Sequence, residues 1–338
     1  MKALVMQPGG VEIVDRPDPH AEPDGAVVAV HSCGICGSDV HLVEAGVRYH
    51  GQVLGHEFSG TVVEVGRDVR DLSVGQVVAV NPLGGCGACA VCRRDLPFLC
   101  AAHPNLGLTA PGGFAELVSV RRAQLFALPE GVDPELGAHA EPLAVALHAI
   151  GLAGAAPGAD ALVFGVGPIG LKVIIGLRAA GAGRIVAVGR SPGRRAAAAA
   201  VGADVVLDGR ETDLGAYAAE ERLTFPQIYE CSAAPGALAQ CVPLLAVGGT
   251  VVEVALPGAP ETLDVRQFVS RNLHLVGSCA FGVAEYRRAV ELLCSGAVDV
   301  TPLVSERVPL AGAPDALFRL RRPEQLVGVL VQPWRDAD

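Results

Sequence analysis

Positive charge is scarce in this chain of 338 residues. Lys plus Arg number 26 against 36 Asp plus Glu, giving a net charge of −10 and a pI near 5.4. Such a field repels polyanions, which excludes nucleic acid or an anionic membrane as a partner recognised by overall charge. Lysine is almost missing, with only Lys2 and Lys172. Beside so much Ala and Gly, that scarcity reads as coding composition rather than a functional device. No run of about 18 apolar residues is free of Gly, Pro or charge, which argues against a membrane-spanning helix. The stretch Met1–Gly10 lacks the apolar core of a signal peptide. The expected compartment is therefore the cytoplasm. There, clustered cysteines are metal ligands or catalytic groups more often than disulfides.

The chain does have the means to fold. It is 51% hydrophobic and 18% charged, which excludes disorder, and its length fits two domains. The first 130 residues read as β-rich, with little helix signal. Short apolar runs at Lys2–Met6, Val11–Val14, Ala26–His31, Thr61–Val65 and Val77–Val80 are punctuated by Pro and Gly. After about Glu141 the pattern changes. Strand candidates at Ala161–Phe164, Arg184–Val188, Asp204–Leu207, Gln227–Cys231, Thr250–Leu256 and Leu273–Gly277 alternate with helical stretches. The helices include Leu171–Ala180, Arg194–Val201 and Gly236–Leu245. Six such strands imply a doubly wound parallel sheet of the Rossmann, dinucleotide-binding type, and an α/β class overall. The tail holds a helix at Glu285–Ser295 and a strand at Val327–Val331. It is too short for a domain of its own and is expected to fold back onto the N-terminal one.

Four cysteines carry the strongest local signal. Cys86, Cys89 and Cys92 are separated by two-residue gaps, and Cys100 follows eight positions later. That spacing lets four thiolates turn to one point, the closed tetrahedral shell of structural zinc. A second signal is Gly165-Val166-Gly167-Pro168-Ile169-Gly170, placed between a strand and a helix. Gly165 makes the turn, Gly167 lets backbone approach a pyrophosphate, and Gly170 lets helix pack on strand. The second strand then ends in Gly189-Arg190-Ser191, followed by Arg194 and Arg195. A ribose-binding carboxylate is absent there. The arginines and Ser191 can instead pair with a 2′-phosphate, so NADP(H) is favoured over NAD(H). A third set is dispersed: Cys36, His56, Glu57 and Glu141 offer thiolate, imidazole and carboxylate. Such donors with one position left open suit a catalytic zinc.

Taken together, Gly34–His41, Gly55–Gly60, Gly85–Cys100, Glu141–His148, Gly165–Gly170 and Thr301–Val304 resemble the zinc-dependent medium-chain dehydrogenases. That is the alcohol and sorbitol dehydrogenase family, and the motifs occur in family order along the whole chain. The resemblance implies a GroES-like β-rich catalytic domain over 1–143 and 282–338, with a structural zinc lobe at 84–100. The Rossmann domain would cover 144–281. Two zinc ions per chain follow from it. Cys36 and His56 would bind the catalytic one, with Glu57 or Glu141 as third ligand. The Glu141-Pro142-Leu143 segment resembles the polyol and threonine dehydrogenase branch. Asp39 would orient His56, and Ser38 would pass the substrate's proton through the ribose toward His41.

The implied reaction interconverts a secondary alcohol and a ketone by hydride transfer with NADP(H). An NAD-dependent polyol- or threonine-type dehydrogenase is the alternative, as is a C=C or C=N reductase on the same fold. A non-enzymatic scaffold fits less well, because the ligand set is complete. The partner is a small alcohol or ketone, and the family's assemblies make a homodimer or homotetramer the expectation. Two features depart from the family pattern. The stretch between His41 and His56 is short, and its Tyr49 and His50 are candidates to touch substrate. The run Gly277-Ser278-Cys279-Ala280-Phe281 lacks the arginine that grips polyols in the sorbitol branch, which weakens the case for sorbitol.

Overall fold

The computed structural model describes residues 1–45, 51–102, 105–320 and 326–336. Tyr49 and His50 lie outside them. The chain divides into two units. One comprises Met1–Ala144, Phe281–Val300 and Val304–Asp338, and the other Val145–Ala280 with Thr301–Leu303.

The first unit is built on the strand Gly25–Gly34, whose ten residues are almost all buried. Valines and alanines fill both of its faces, as a strand covered on two sides requires. Glu57–Val65 runs antiparallel to it, and Leu117–Arg121 pairs with its first half. Val77–Val80 and Leu125–Ala127 extend the sheet beyond Glu57–Val65. On the other side the C-terminal strand Val329–Gln332 pairs with Cys33 and Gly34. Its own neighbour, Glu306–Pro309, runs parallel to it. Leu4, Met6, Val28, Phe58, Phe114, Leu317 and Val331 make the core.

The second unit holds a six-stranded sheet among the described residues, every pairing parallel. Numbered from Ala161–Phe164, its order is three, two, one, four, five, six. The order reverses beside the first strand. In open sheets of this kind, ligands bind in that crevice, beyond the strands' carboxyl ends. The α/β class and the six-stranded doubly wound sheet thus agree with the sequence pattern.

Some boundaries differ from those read in sequence. A helix at Gly37–Ala45 occupies a region read as having little helix signal. Its apolar residues form no stripe at helical spacing, so periodicity could not reveal it. What starts it is polar: Asp39 Oδ2 reaches back to accept the Cys36 N–H at 2.9 Å, the reciprocal half of a capping box. The strand opposite Gly25–Gly34 starts at Glu57 rather than Thr61, and the fifth Rossmann strand spans Leu245–Glu253. The helix expected over Gly236–Leu245 is regular only at Ala237–Cys241, because Pro243 lacks the N–H to continue it. Among the described residues, no helix is long and apolar enough to cross a membrane.

Candidate functional site

Donor atoms of Cys36, His56 and Glu57 lie within 4.8 Å of one another. Their convergence is a matter of sheet register. Cys36 follows the end of Gly25–Gly34, and Glu57 opens the antiparallel partner directly opposite Gly34. Residues far apart in sequence therefore meet at one sheet end. Asp39 is fully buried and ties the pieces together. It accepts hydrogen bonds from the Cys36 N–H and, at 3.3 Å, from the Gly55 N–H. It also sits 3.6 Å from His56 Nδ1, at ion-pair rather than hydrogen-bond distance. Ser38 Oγ is 3.4 Å from His56 Nε2. On the helix Gly37–Ala45, Ser38 and His41 are three residues apart and so share a face, with His41 exposed.

The local electrostatics are strong. Burial, and then the Glu57 charge, push the Cys36 thiol up. Burial disfavours the charged His56 ring, yet the charges of Asp39 and Cys36 hold it well above the ordinary histidine value. Glu141 is not a member of this three-residue group. It is buried in the first turn of the helix Ala140–Ala153, outside the 4.8 Å set. Its charge acts on Tyr286, a fully buried phenol that burial and Glu141 raise well above its usual range. Among the described residues the Tyr286 hydroxyl has no hydrogen-bond partner. Nothing in the sequence pointed to Tyr286.

The four lobe cysteines also converge within 4.8 Å, and all are free thiols. Cys86 and Cys92 sulfurs are 3.9 Å apart, and those of Cys89 and Cys100 are 3.8 Å apart. A tetrahedron with metal–sulfur bonds of about 2.3 Å has edges of about 3.8 Å. Gly87 makes the knuckle possible with a φ of 70°, in the left-handed region. Bonds from backbone N–H groups lower the Cys86 thiol and bring Cys100 to about 6. Both donor sets fit zinc: four sulfurs in one, and sulfur, imidazole and carboxylate in the other.

The glycine motif fits a dinucleotide. Gly165 has a φ of 101°, and a Cβ there would strike Ser232 at 2.7 Å. A Cβ on Gly170 would lie 1.9 Å from the Gly165 carbonyl oxygen. Gly167 caps the twelve-residue helix Pro168–Ala179, which carries Ile169 in its first turn. The space over Gly167 is open except for Arg194, whose Nη1 is 3.9 Å from where a Cβ would be. The helix dipole and free N–H groups there favour a phosphate.

The arginines expected beside it divide. Arg190 is exposed. Arg194 is desolvated, which lowers its pKa. Arg195 is engaged by Asp208 at 2.6 Å and by the Arg190 carbonyl at 2.9 Å. Ser191 caps the helix Pro192–Ala200 by accepting from the Arg194 N–H. Gly189 ends its strand against Val166, whose Cγ2 would be 2.1 Å from an added Cβ.

Comparison with known proteins gives matching results. Residues 22–130 match the family model for the alcohol dehydrogenase GroES-like domain, and residues 168–295 match that for zinc-binding dehydrogenases. L-idonate 5-dehydrogenase (NAD(P)(+)) of Escherichia coli K12 is 31% identical over 87% of this chain and 88% of its own. Sorbitol dehydrogenase of Bacillus subtilis 168 is 31% identical over 99% and 98%. A structure assigned as a zinc-binding dehydrogenase from Sinorhizobium meliloti 1021, bound to NADP, superposes with a TM-score of 0.90. It is 34% identical and covers 98% of this chain and 99% of its own.

Proposed function

The chain belongs to the zinc-dependent medium-chain dehydrogenases, and from that premise we propose that it interconverts a secondary alcohol and a ketone with NADP(H). The observation that carries this reading is the meeting of Cys36, His56 and Glu57 with Ser38 on the rim. Zinc in that set supplies Lewis acidity toward the substrate oxygen, and the dinucleotide supplies or takes hydride. Cys36, His56 and Glu57 would hold the metal. Asp39 fixes the His56 ring. Ser38 takes the substrate's hydroxyl proton, and His41, on the same helix face, leads it outward. The second zinc belongs to Cys86, Cys89, Cys92 and Cys100. Relatives that act on idonate and sorbitol support a polyhydroxylated or similar secondary alcohol.

NADP(H) is supported by the missing carboxylate at Gly189 and by Arg190 and Arg194. It is also supported by the bound NADP of the Sinorhizobium meliloti structure. One or two charge-assisted bonds, each about 1.5–3 kcal/mol before solvent screening, give roughly a tenfold to thousandfold preference. The kcat/KM ratio for the two cofactors measures it, and a ratio favouring NAD(H) would overturn it. Gly189→Asp with Arg190→Ile is expected to reverse the preference. The close Val166 Cγ2 means Val166→Ala should accompany it.

The strand His274–Gly277 ends the six-stranded sheet with Leu275 exposed, which supports a homodimer or homotetramer. The deciding experiment for the reaction is metal analysis with a dehydrogenase assay on polyols, aminocyclitols and simple secondary alcohols. Two metals per chain and oxidation of one class are expected. A fully active native enzyme with at most one metal would overturn the reading.

A further inference from the structure

Gly34 is the last residue of the strand Gly25–Gly34, directly opposite Glu57. Its backbone lies outside the left-handed region, so its conformation does not call for glycine. Space does. A Cβ at Gly34 would meet Glu57 Oε2 at 2.3 Å, with Glu57 Cβ at 3.2 Å and Cδ at 3.3 Å. The Glu57 carboxylate thus occupies the volume that any side chain at position 34 would take. Glu57 is itself buried, and its carboxylate belongs to the donor group of Cys36 and His56. The carboxylate can yield only by turning about its own side-chain torsions, which takes Oε2 away from the place it holds in that group.

Contrast sharpens the point. Gly37, three residues on and beside Cys36, has no atom within 4 Å of an added Cβ and no left-handed φ. One glycine of the Gly34–Gly37 stretch is constrained by a carboxylate and the other is not. Both look alike in sequence.

We propose that Gly34 is a positioning residue of the Cys36–His56–Glu57 centre: its missing side chain leaves the volume in which the Glu57 carboxylate turns toward the metal. The inference rests on the proposed function, because it assigns Glu57 rather than Glu141 as the metal's carboxylate. A methyl at position 34 forces Oε2 to move by about 1 Å, half the length of a zinc–oxygen bond of about 2.0–2.2 Å. The carboxylate then leaves coordination. Cys36 and His56 remain, and so does the cysteine lobe.

The test uses the full-length holoenzyme with cobalt(II) in place of zinc, as wild type, Gly34→Ala, Glu57→Ala and the double variant. The readouts are the visible cobalt spectrum and the rate at which a chelator removes each metal. Gly34→Ala is expected to change the spectrum and to speed loss of one metal about 10–100-fold, the scale of a disturbed ligand shell. The second metal should be retained as in wild type. If Gly34 acts through Glu57, Gly34→Ala changes nothing further in the Glu57→Ala background. The 3.2 Å contact that remains there needs only a few tenths of an ångström of give.

A wild-type spectrum and release rate in Gly34→Ala would overturn the proposal, as would additive effects in the double variant. Should Gly34→Ala fail to fold, the double variant decides. Recovery of folding on removing the carboxylate supports the steric link, and continued failure overturns it. A wild-type protein with metal in the cysteine lobe alone would instead sink the proposed function, a different and separately readable result.

Discussion

The two candidate metal-binding constellations are made in opposite ways. The cysteine lobe is local: its four ligands fall between Cys86 and Cys100, in turns and two short 3-10 segments. Its own backbone supplies much of its support, as when the Cys89 N–H donates to Cys86 Sγ at 3.3 Å. The other centre is assembled by tertiary structure. A strand end, a helix start and an antiparallel register bring Cys36, His56 and Glu57 together, and buried Asp39 locks them. A cluster with so little packed structure around it depends on its metal for shape. A cluster mounted on a core strand would keep its shape without metal and leave the metal to reactivity. Exchanging one ligand in each should therefore damage different properties.

Cys36→Ser and Cys89→Ser are the largest expected breaks in this comparison. Cys36→Ser should abolish turnover while the melting temperature stays near that of wild type. Cys89→Ser should lower the melting temperature markedly, because a zinc held by the lobe would contribute to folding. Calorimetry and metal analysis on both variants check the pair. Equal loss of stability in the two would show that both centres are structural supports.

Within the assembled centre, Ser38 and Asp39 test chemistry against positioning. Ser38→Ala should cut turnover about 10²–10⁴-fold, the usual worth of a positioned proton acceptor, with metal content unchanged. Turnover within twofold of wild type, with chemistry rate-limiting, would remove Ser38 from the proton path. Asp39→Asn keeps size but removes the charge facing His56 Nδ1. It should weaken metal binding about 10–100-fold, read by chelator competition. Unchanged metal affinity would make Asp39 a capping residue alone.

The same contrast explains what the sequence revealed. The cysteine lobe and the Gly165–Gly170 turn were legible because their chemistry is written in neighbouring residues. The strand Ala161–Phe164 was legible to the residue, because four apolar residues precede the glycine turn. Cys36 and His56 were no more than dispersed donors until family resemblance gave them roles, since a lone Cys or His has no signature. Telling Glu57 from Glu141 needs tertiary structure: strand register places Glu57 opposite Gly34, while Glu141 lies in the helix Ala140–Ala153 and outside the donor group. The helix Gly37–Ala45 escaped notice because a polar cap rather than an apolar stripe defines it. Tyr286 and Asp95 act across long sequence separations, Asp95 on a backbone group 188 residues away.

Asp95 carries the smallest prediction and shows that the local lobe is not wholly self-contained. It lies just past Cys92–Arg94 with a φ of 55°, and its Oδ1 accepts the Val283 N–H at 3.2 Å. That N–H begins the helix Val283–Cys294, so the lobe supplies an N-terminal cap to a helix of the tail. Two effects oppose each other at this position. Losing the cap costs about 0.5–2 kcal/mol, and holding alanine at a left-handed φ costs about 1–2 kcal/mol more. Asparagine keeps an acceptor oxygen and tolerates the φ; glycine loses the cap but relieves the φ. The order of stability is therefore expected to be Asp95→Asn above Asp95→Gly above Asp95→Ala. If the cap also steadies the lobe, chelator-driven loss of the cysteine-bound metal should follow that order, while the Cys36 centre releases its metal at one rate in all three. Denaturant midpoints and metal-release rates measured together check this. Identical lobe release in Asp95→Asn and Asp95→Ala would confine Asp95 to capping the helix.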